Sequence, residues 1–291
     1  MNKYSYSISS AWAPDSQSAS EIARNGVRTL DLLNPIGPPF ADWSIVDAEE
    51  NYIPIEQARD QAVRLVEENV SRDDGIPWPR GGYAFWASTL APPKAPLARS
   101  ASLDMNAGSP DKNHMKLEVG GFGAPPDLDL ITYRGFKAAL IVLASTWPCP
   151  WANAHAFIDG YWRKSTAPGE PPARCSRFQL PWVCYLSAPL TAGLKVPPEL
   201  VSEPGPNGGV ILSAVTERFD PADADHLRRS KALSGVMVDQ VDGGVWPSVP
   251  QPPLALIDGV YYDISDITID DLKRAIEEDA KLADDLRAPP P

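Results

Sequence analysis

Apolar positions along the chain follow two periods. In "IEQARDQAVRLVEENV", Ile55, Ala58, Ala62, Leu65 and Val66 recur at the three- and four-residue steps of one helical face. Glu56, Asp60 and Glu67 fall on the opposite side, so this helix is predicted to carry an acidic solvent face. "SASEIARNGVRTLDLL" has the same period, with Ile22, Leu30 and Leu33 facing the core. It opens on Ser18 and Glu21 at capping-box spacing. "TYRGFKAALIVLASTW" is apolar around most of its circumference, which predicts a buried helix too short to span a bilayer. The closing helix, "TIDDLKRAIEEDAKLADDL", starts at Thr268 with Asp271 three residues on. Leu272, Ile276, Ala283 and Leu286 face inward, and Glu277, Lys281, Asp284 and Asp285 face water.

Elsewhere the period is two. Residues 3–10 alternate Tyr4, Tyr6 and Ile8, and "DWSIVD", "GGYAFWAST", "ARSASLDMNAG", "HMKLEVGGF" and "FQLPWVCYLSAPL" read as further strands between Gly and Pro breaks. "ELVSEPGPNGGVILSAV" is a hairpin around "PGPNGG", and "LALIDGVYYDIS" is a second one turning at Asp258-Gly259. Strands and helices interleave without a βαβ rhythm. This predicts an α+β fold: a mixed or largely antiparallel sheet with helices packed on it. The expected organisation is one domain over 1–291. A faint echo, strand then turn then helix in each half, suggests pseudo-related sub-halves 1–110 and 111–291.

The stretch "TERFDPADADHLRRSKALSGVM" gathers acids, a histidine and arginines. Asp220 followed by Pro221 predicts a helix start, and Asp223 suits the positive end of the helix dipole. Asp225 is spaced to meet Arg228 and Arg229. Leu227, Met237, Val238 and Val241 form an apolar seam with Ser230 and Ser234 between them. His226 lies beside that seam with no nucleophile at a defined spacing, so the segment reads as a capped amphipathic helix rather than a catalytic group.

Charge changes the picture more than composition does. The net charge is −12. Residues 42–74 hold ten acids against three bases (−7) and residues 258–291 hold ten against four (−6), so the rest of the chain sums to +1. Asp73 and Asp74 close the first acidic segment. Two anionic segments argue against direct binding of DNA or RNA. They have two readings: solubility, and steering toward a cationic partner. The 32 prolines, roughly double the usual share, predict long ordered loops. Cys149, Cys175 and Cys184 are too few and too irregularly spaced for a disulfide framework or a zinc site, and read as free thiols in a reducing compartment. With no apolar signal core in "MNKYSYSISSAW", the expectation is a soluble cytoplasmic protein with no membrane partner.

Candidate chemistry is sparse. "GGFGAPPD" lacks the spacing of a dinucleotide loop, and Cys149 with His155 fits no common metal or nucleophile pattern. His114 reads as a structural residue of a strand. "DLDL" would place the Asp127 and Asp129 carboxylates on one side of a strand, but they lack a third ligand. The expectation is no catalytic residue, no metal and no cofactor: not an enzyme.

One family likeness sharpens this. "LPWVCYLSAPLTAGLKVPPEL" and "GGVILSAVTERFDPADADHLRRSKALSGVMV" resemble the immunity protein 52 family of bacterial polymorphic toxin systems. The likeness is densest over residues 178–241, and it extends to the layout of Trp12, the 21–33 helix and "ADWSIVD". It implies neutralisation of a cognate toxin with a restriction-endonuclease-type nuclease domain, in a type VI secretion context. No interface residue carries over from the family. The acidic segments are therefore the expected toxin-binding surfaces: Glu56, Asp60, Glu67, Asp73 and Asp74 in one, Glu277, Asp284 and Asp285 in the other. Without the toxin, the chain is left free to pair as a homodimer. The alternatives are an adaptor or chaperone that binds a secreted effector without blocking its active site, and a degenerate α+β enzyme.

Overall fold

The structure, a computed structural model, describes residues 4–13, 17–89, 97–109, 113–120, 126–158, 162–164, 173–175, 178–241, 254–257 and 260–263. The first half runs β1 (Tyr4–Trp12), α1 (Ala19–Leu33), β2 (Ser44–Val46), β3 (Tyr52–Pro54), α2 (Ile55–Ala58), α3 (Ala62–Glu68), β4 (Arg72–Asp73), β5 (Ile76–Pro77), β6 (Tyr83–Ser88) and β7 (Ala101–Ala107). The second runs β8 (Asn113–Val119), α4 (Tyr133–Thr146), β9 (Trp151–Ile158), β10 (Trp162–Lys164), β11 (Ala173–Cys175), β12 (Phe178–Leu186), β13 (Val201–Pro204), β14 (Val210–Ser213), α5 (Ala224–Val241), β15 (Leu254–Ile257) and β16 (Val260–Asp263).

Ten strands form one sheet in the order β13-β14-β12-β9-β1-β8-β7-β6-β2-β3. Every pairing in it is antiparallel, so the mixed alternative is set aside. The sheet interleaves strands from both sides of residue 110: β8 lies between β7 and β1. β10–β11, β15–β16 and β4–β5 are separate two-stranded ribbons.

Alternation along the strands assigns the two faces. Tyr6, Ile8 and Trp12 of β1, Leu103 and Met105 of β7, and Met115 and Leu117 of β8 are at most 1% exposed. They lie under α1, which packs on β6, and α4, which packs on β9 and β12. Phe136 of α4 meets Tyr6 edge-on at 6.1 Å and Trp182 at 5.4 Å, an aromatic cluster at the centre of this layer. Cys184, Leu186 and Leu212 alternate to the other face and are also buried, with α5 lying against β12. At the β12 end both faces of the sheet are thus covered. At the β6–β8 end the second face is wetter: Trp86 donates to Asp104 at 3.0 Å, and Lys116 pairs with Glu118 at 2.6 Å.

Local signals are realised with two corrections. The Ser18–Glu21 capping box of α1 forms in both directions. The 55–70 helix is broken by a 3-10 turn at Arg59–Gln61, where Arg59 turns back to α1 to grip Asp31. Its apolar stripe survives the break, and Ile55, Ala58, Ala62, Leu65 and Val66 are all buried. The second correction concerns the start of α5. Its first turn is capped by Asp223, whose carboxylate accepts from the N–H groups of Asp225 (2.8 Å) and His226 (3.1 Å). Asp220 instead closes a turn upstream: its carboxylate accepts from Ala222 N–H and its own N–H donates to His226 Nδ1. The predicted closing helix from Thr268 lies outside the described residues.

Candidate functional site

The acidic surface begins at α2. Glu56, Asp60 and Glu67 are exposed while their helical neighbours form the buried stripe. Spread from α2 through the 3-10 turn to α3, they make a line rather than a point. The arginines of this segment are spent elsewhere. Arg59 binds Asp31 through both guanidinium nitrogens at 2.7 and 2.8 Å, and Arg64 pairs with Glu68. Arg59 holds its proton more tightly, first through that bond to Asp31, with the Glu56 and Asp60 charges adding to it. Among the described residues, no ion pair within 4 Å engages Glu56, Asp60 or Glu67.

The surface continues around the end of the sheet. The β2–β3 turn carries Asp47, Glu49 and Glu50. Asp47 Oδ1 accepts from the N–H groups of Glu49 (2.9 Å) and Asn51 (2.8 Å), and the bonds from the Asn51 side chain, with these backbone bonds after them, pull its carboxyl below the usual range. Asn69 Nδ2 donates to Val46 O at 3.4 Å and ties the end of α3 to this turn. Beyond Asn69 the chain leaves the sheet as a hairpin. β4 and β5 pair Asp73 with Ile76 across an Asp74-Gly75 turn whose φ values, 48° and 80°, are both positive, the geometry a two-residue hairpin turn requires. Every residue from 72 to 80 is exposed, Asp73 and Asp74 included. The sequence reading missed this hairpin as an element, although Asp-Gly between short β-formers was a legible signal. Five of the eight expected contact residues thus lie along α2, the 3-10 turn after it, α3 and the adjoining hairpin. Glu277, Asp284 and Asp285 lie outside the described residues.

The remaining candidates resolve into architecture. His155 is fully buried on β9, with Nε2 3.1 Å from Ser7 Oγ and Nδ1 3.1 Å from Asn153 O; burial pushes its pKa down to about 3. A neutral imidazole sealed from solvent has no substrate to meet. Cys149 is 5% exposed and Cys184 0%, and burial raises both thiols to about 12. Asp127 caps a 3-10 turn by accepting from Asp129 N–H and pairs with Arg99 at 3.4 Å. His226 spans the turn before α5, Nδ1 accepting from Asp220 N–H and Nε2 3.1 Å from Glu217. Asp225 holds Arg228 and Arg229 as the spacing predicts. Among the described residues no three His, Cys, Asp or Glu side chains cluster as a metal site. No described helix is long and apolar enough to cross a membrane.

Fold and surface together define an α+β protein built on one antiparallel sheet, with an anionic flank and a projecting hairpin. No protein-family model matches the chain, and no curated protein matches it. Among solved structures, it is similar to the Pseudomonas aeruginosa T6SS protein PA0821, with a TM-score of 0.48 and 10% identity over 81% of this chain and 76% of that one. At that distance the likeness carries no argument about function.

Proposed function

We propose that this protein is an immunity protein that binds and neutralises a nuclease-type toxin, and that it has no catalytic activity or cofactor of its own. The observation that carries this reading is the exposed line of Glu56, Asp60 and Glu67, unpaired among the described residues because Arg59 and Arg64 are engaged by Asp31 and Glu68. A nuclease presents cationic surface to phosphates, and an anionic flank left unneutralised fits that surface and speeds encounter. The resemblance of residues 178–241 to the immunity protein 52 family supports the same reading and supplies its type VI secretion setting. A cytoplasmic location accords with it.

The test is to look for a nuclease-toxin gene beside the gene for this chain and to measure inhibition of its purified nuclease domain, with binding measured in parallel. Reversing Glu56, Asp60 and Glu67 to Lys together is expected to slow association by about tenfold or more at low salt, the deficit shrinking as salt rises. Glu277, Asp284 and Asp285 form a second set for the same experiment. Binding without inhibition would replace this reading with that of an adaptor or chaperone. Absence of binding would remove it.

A further inference from the structure

The projecting hairpin differs from the acidic line in one respect: its exposed side chains include large apolar ones. Ile76 is 70% exposed and Trp78 43%, and no described large hydrophobic residue is more open than Ile76. The register pairs Asp73 with Ile76 and Arg72 with Pro77, and Trp78 N–H donates to Ser71 O at 2.6 Å. With side chains alternating, Ile76 and Trp78 share one face of the ribbon, beside Asp73.

Trp78 is exposed but fixed. Its carbonyl accepts from Gly81 N–H at 2.8 Å, and Ser71 Oγ donates to Gly81 O at 2.8 Å. A Cβ on Gly81 would lie 2.5 Å from the indole and 2.6 Å from Ser71 Cβ, so the ring rests directly on the glycine backbone. An indole held this way loses little freedom when a partner covers it. Around it the charge is one-sided. Residues 47–50 and 64–80 together hold seven acids against three arginines, a net of −4.

An aromatic and an aliphatic centre with a polar rim is the anatomy of a protein-binding hot spot. We infer that the 70–83 hairpin is the insertion element of this protein: Ile76 and Trp78 enter an apolar recess within the cationic surface of the toxin, and the acids around them steer the approach. This rests on the immunity reading and divides its labour. The hairpin sets how long the complex lasts, and the acids set how fast it forms.

The experiment measures both rate constants for the full chain on the nuclease domain that the binding and inhibition test identifies as its toxin. The variants are Ile76→Ser, Trp78→Ser, and the triple reversal of Glu49, Glu50 and Asp73 to Lys. Trp78→Ser is expected to speed dissociation about 30-fold or more while leaving association within about threefold. Ile76→Ser shifts dissociation the same way by a smaller factor, with an unfolding midpoint matching the parent because the side chain is mostly in water. The reversal slows association in a salt-dependent manner. Unchanged dissociation in both serine variants, with the parent still binding and inhibiting, overturns the hairpin's role and leaves the immunity reading standing. A parent that does not bind overturns both. A free parent dimer that Ile76→Ser splits assigns the hairpin to self-association and overturns the inference.

Discussion

Gly26 and Gly235 are both helical glycines, and changing each to alanine should move stability in opposite directions. Alanine is favoured over glycine in a helix by about 1 kcal/mol, so propensity alone stabilises both variants. At Gly235, on the exposed side of α5, a new Cβ meets nothing within 4 Å and the gain of about 0.5–1 kcal/mol stands. At Gly26 the new Cβ would lie 2.5, 2.7 and 2.8 Å from three atoms of the Phe85 ring, about 1 Å inside normal carbon contact. Phe85 is 1% exposed on β6 and has no room to give. Overpacking of this kind costs typically about 1–3 kcal/mol, so Gly26→Ala should come out destabilised by roughly 1 kcal/mol. Urea unfolding monitored by circular dichroism reads both variants, and the gap between them should be about 2 kcal/mol. If Gly26→Ala is stabilised as much as Gly235→Ala, the close docking of α1 on β6 is wrong.

Three further outcomes follow from the same geometry. His155 takes up its proton near pH 3 in the fold and near 6.5 when unfolded, so its contribution is complete above 6.5 and is lost as pH falls toward 3; between pH 7 and 5 the protein should lose about 2 kcal/mol, and His155→Asn, whatever its own starting stability, should show a flatter profile there. Asp223→Ala should cost about 1 kcal/mol by uncapping α5, and Asp220→Ala distinctly less, a ranking that thermal unfolding of the two variants decides. Cys149 and Cys184 should resist a thiol-specific reagent until the protein unfolds, because both thiols are buried and held protonated; rapid labelling of either in the native state would contradict the core described here.

Much of this architecture was legible from local chemistry. The capping box at Ser18, the stripe through Ile55 and Val66, and the alternation in β7 and β8 each involve residues close in sequence, where spacing fixes the geometry. The start of α5 was misplaced because Asp220-Pro221 carries a sound local signal. The imidazole of His226, six residues downstream, takes Asp220 N–H, and the cap falls to Asp223. The strand order was beyond reach, since nothing in β1 specifies that β8 and β9, each about a hundred residues or more away, become its neighbours. The acidic line was visible as composition. Its unpaired state depends on Asp31, on another helix, drawing Arg59 away, and spacing carries no trace of that.

The place of β1 at the middle of the sheet has a consequence for synthesis. Its partners are β8 on one side and β9 on the other, so an apolar strand made early waits for chain made much later. At about 5–20 residues per second, the ~150 residues between Trp12 and Ile158 take roughly 7–30 s to appear. Until β8 is made, about a hundred residues on, Tyr6, Ile8 and Trp12 have neither neighbour, and from then until β9 appears they have only one. A ribosome-bound chain halted before β9 would therefore display β1 with one edge unpaired, a template for wrong pairing.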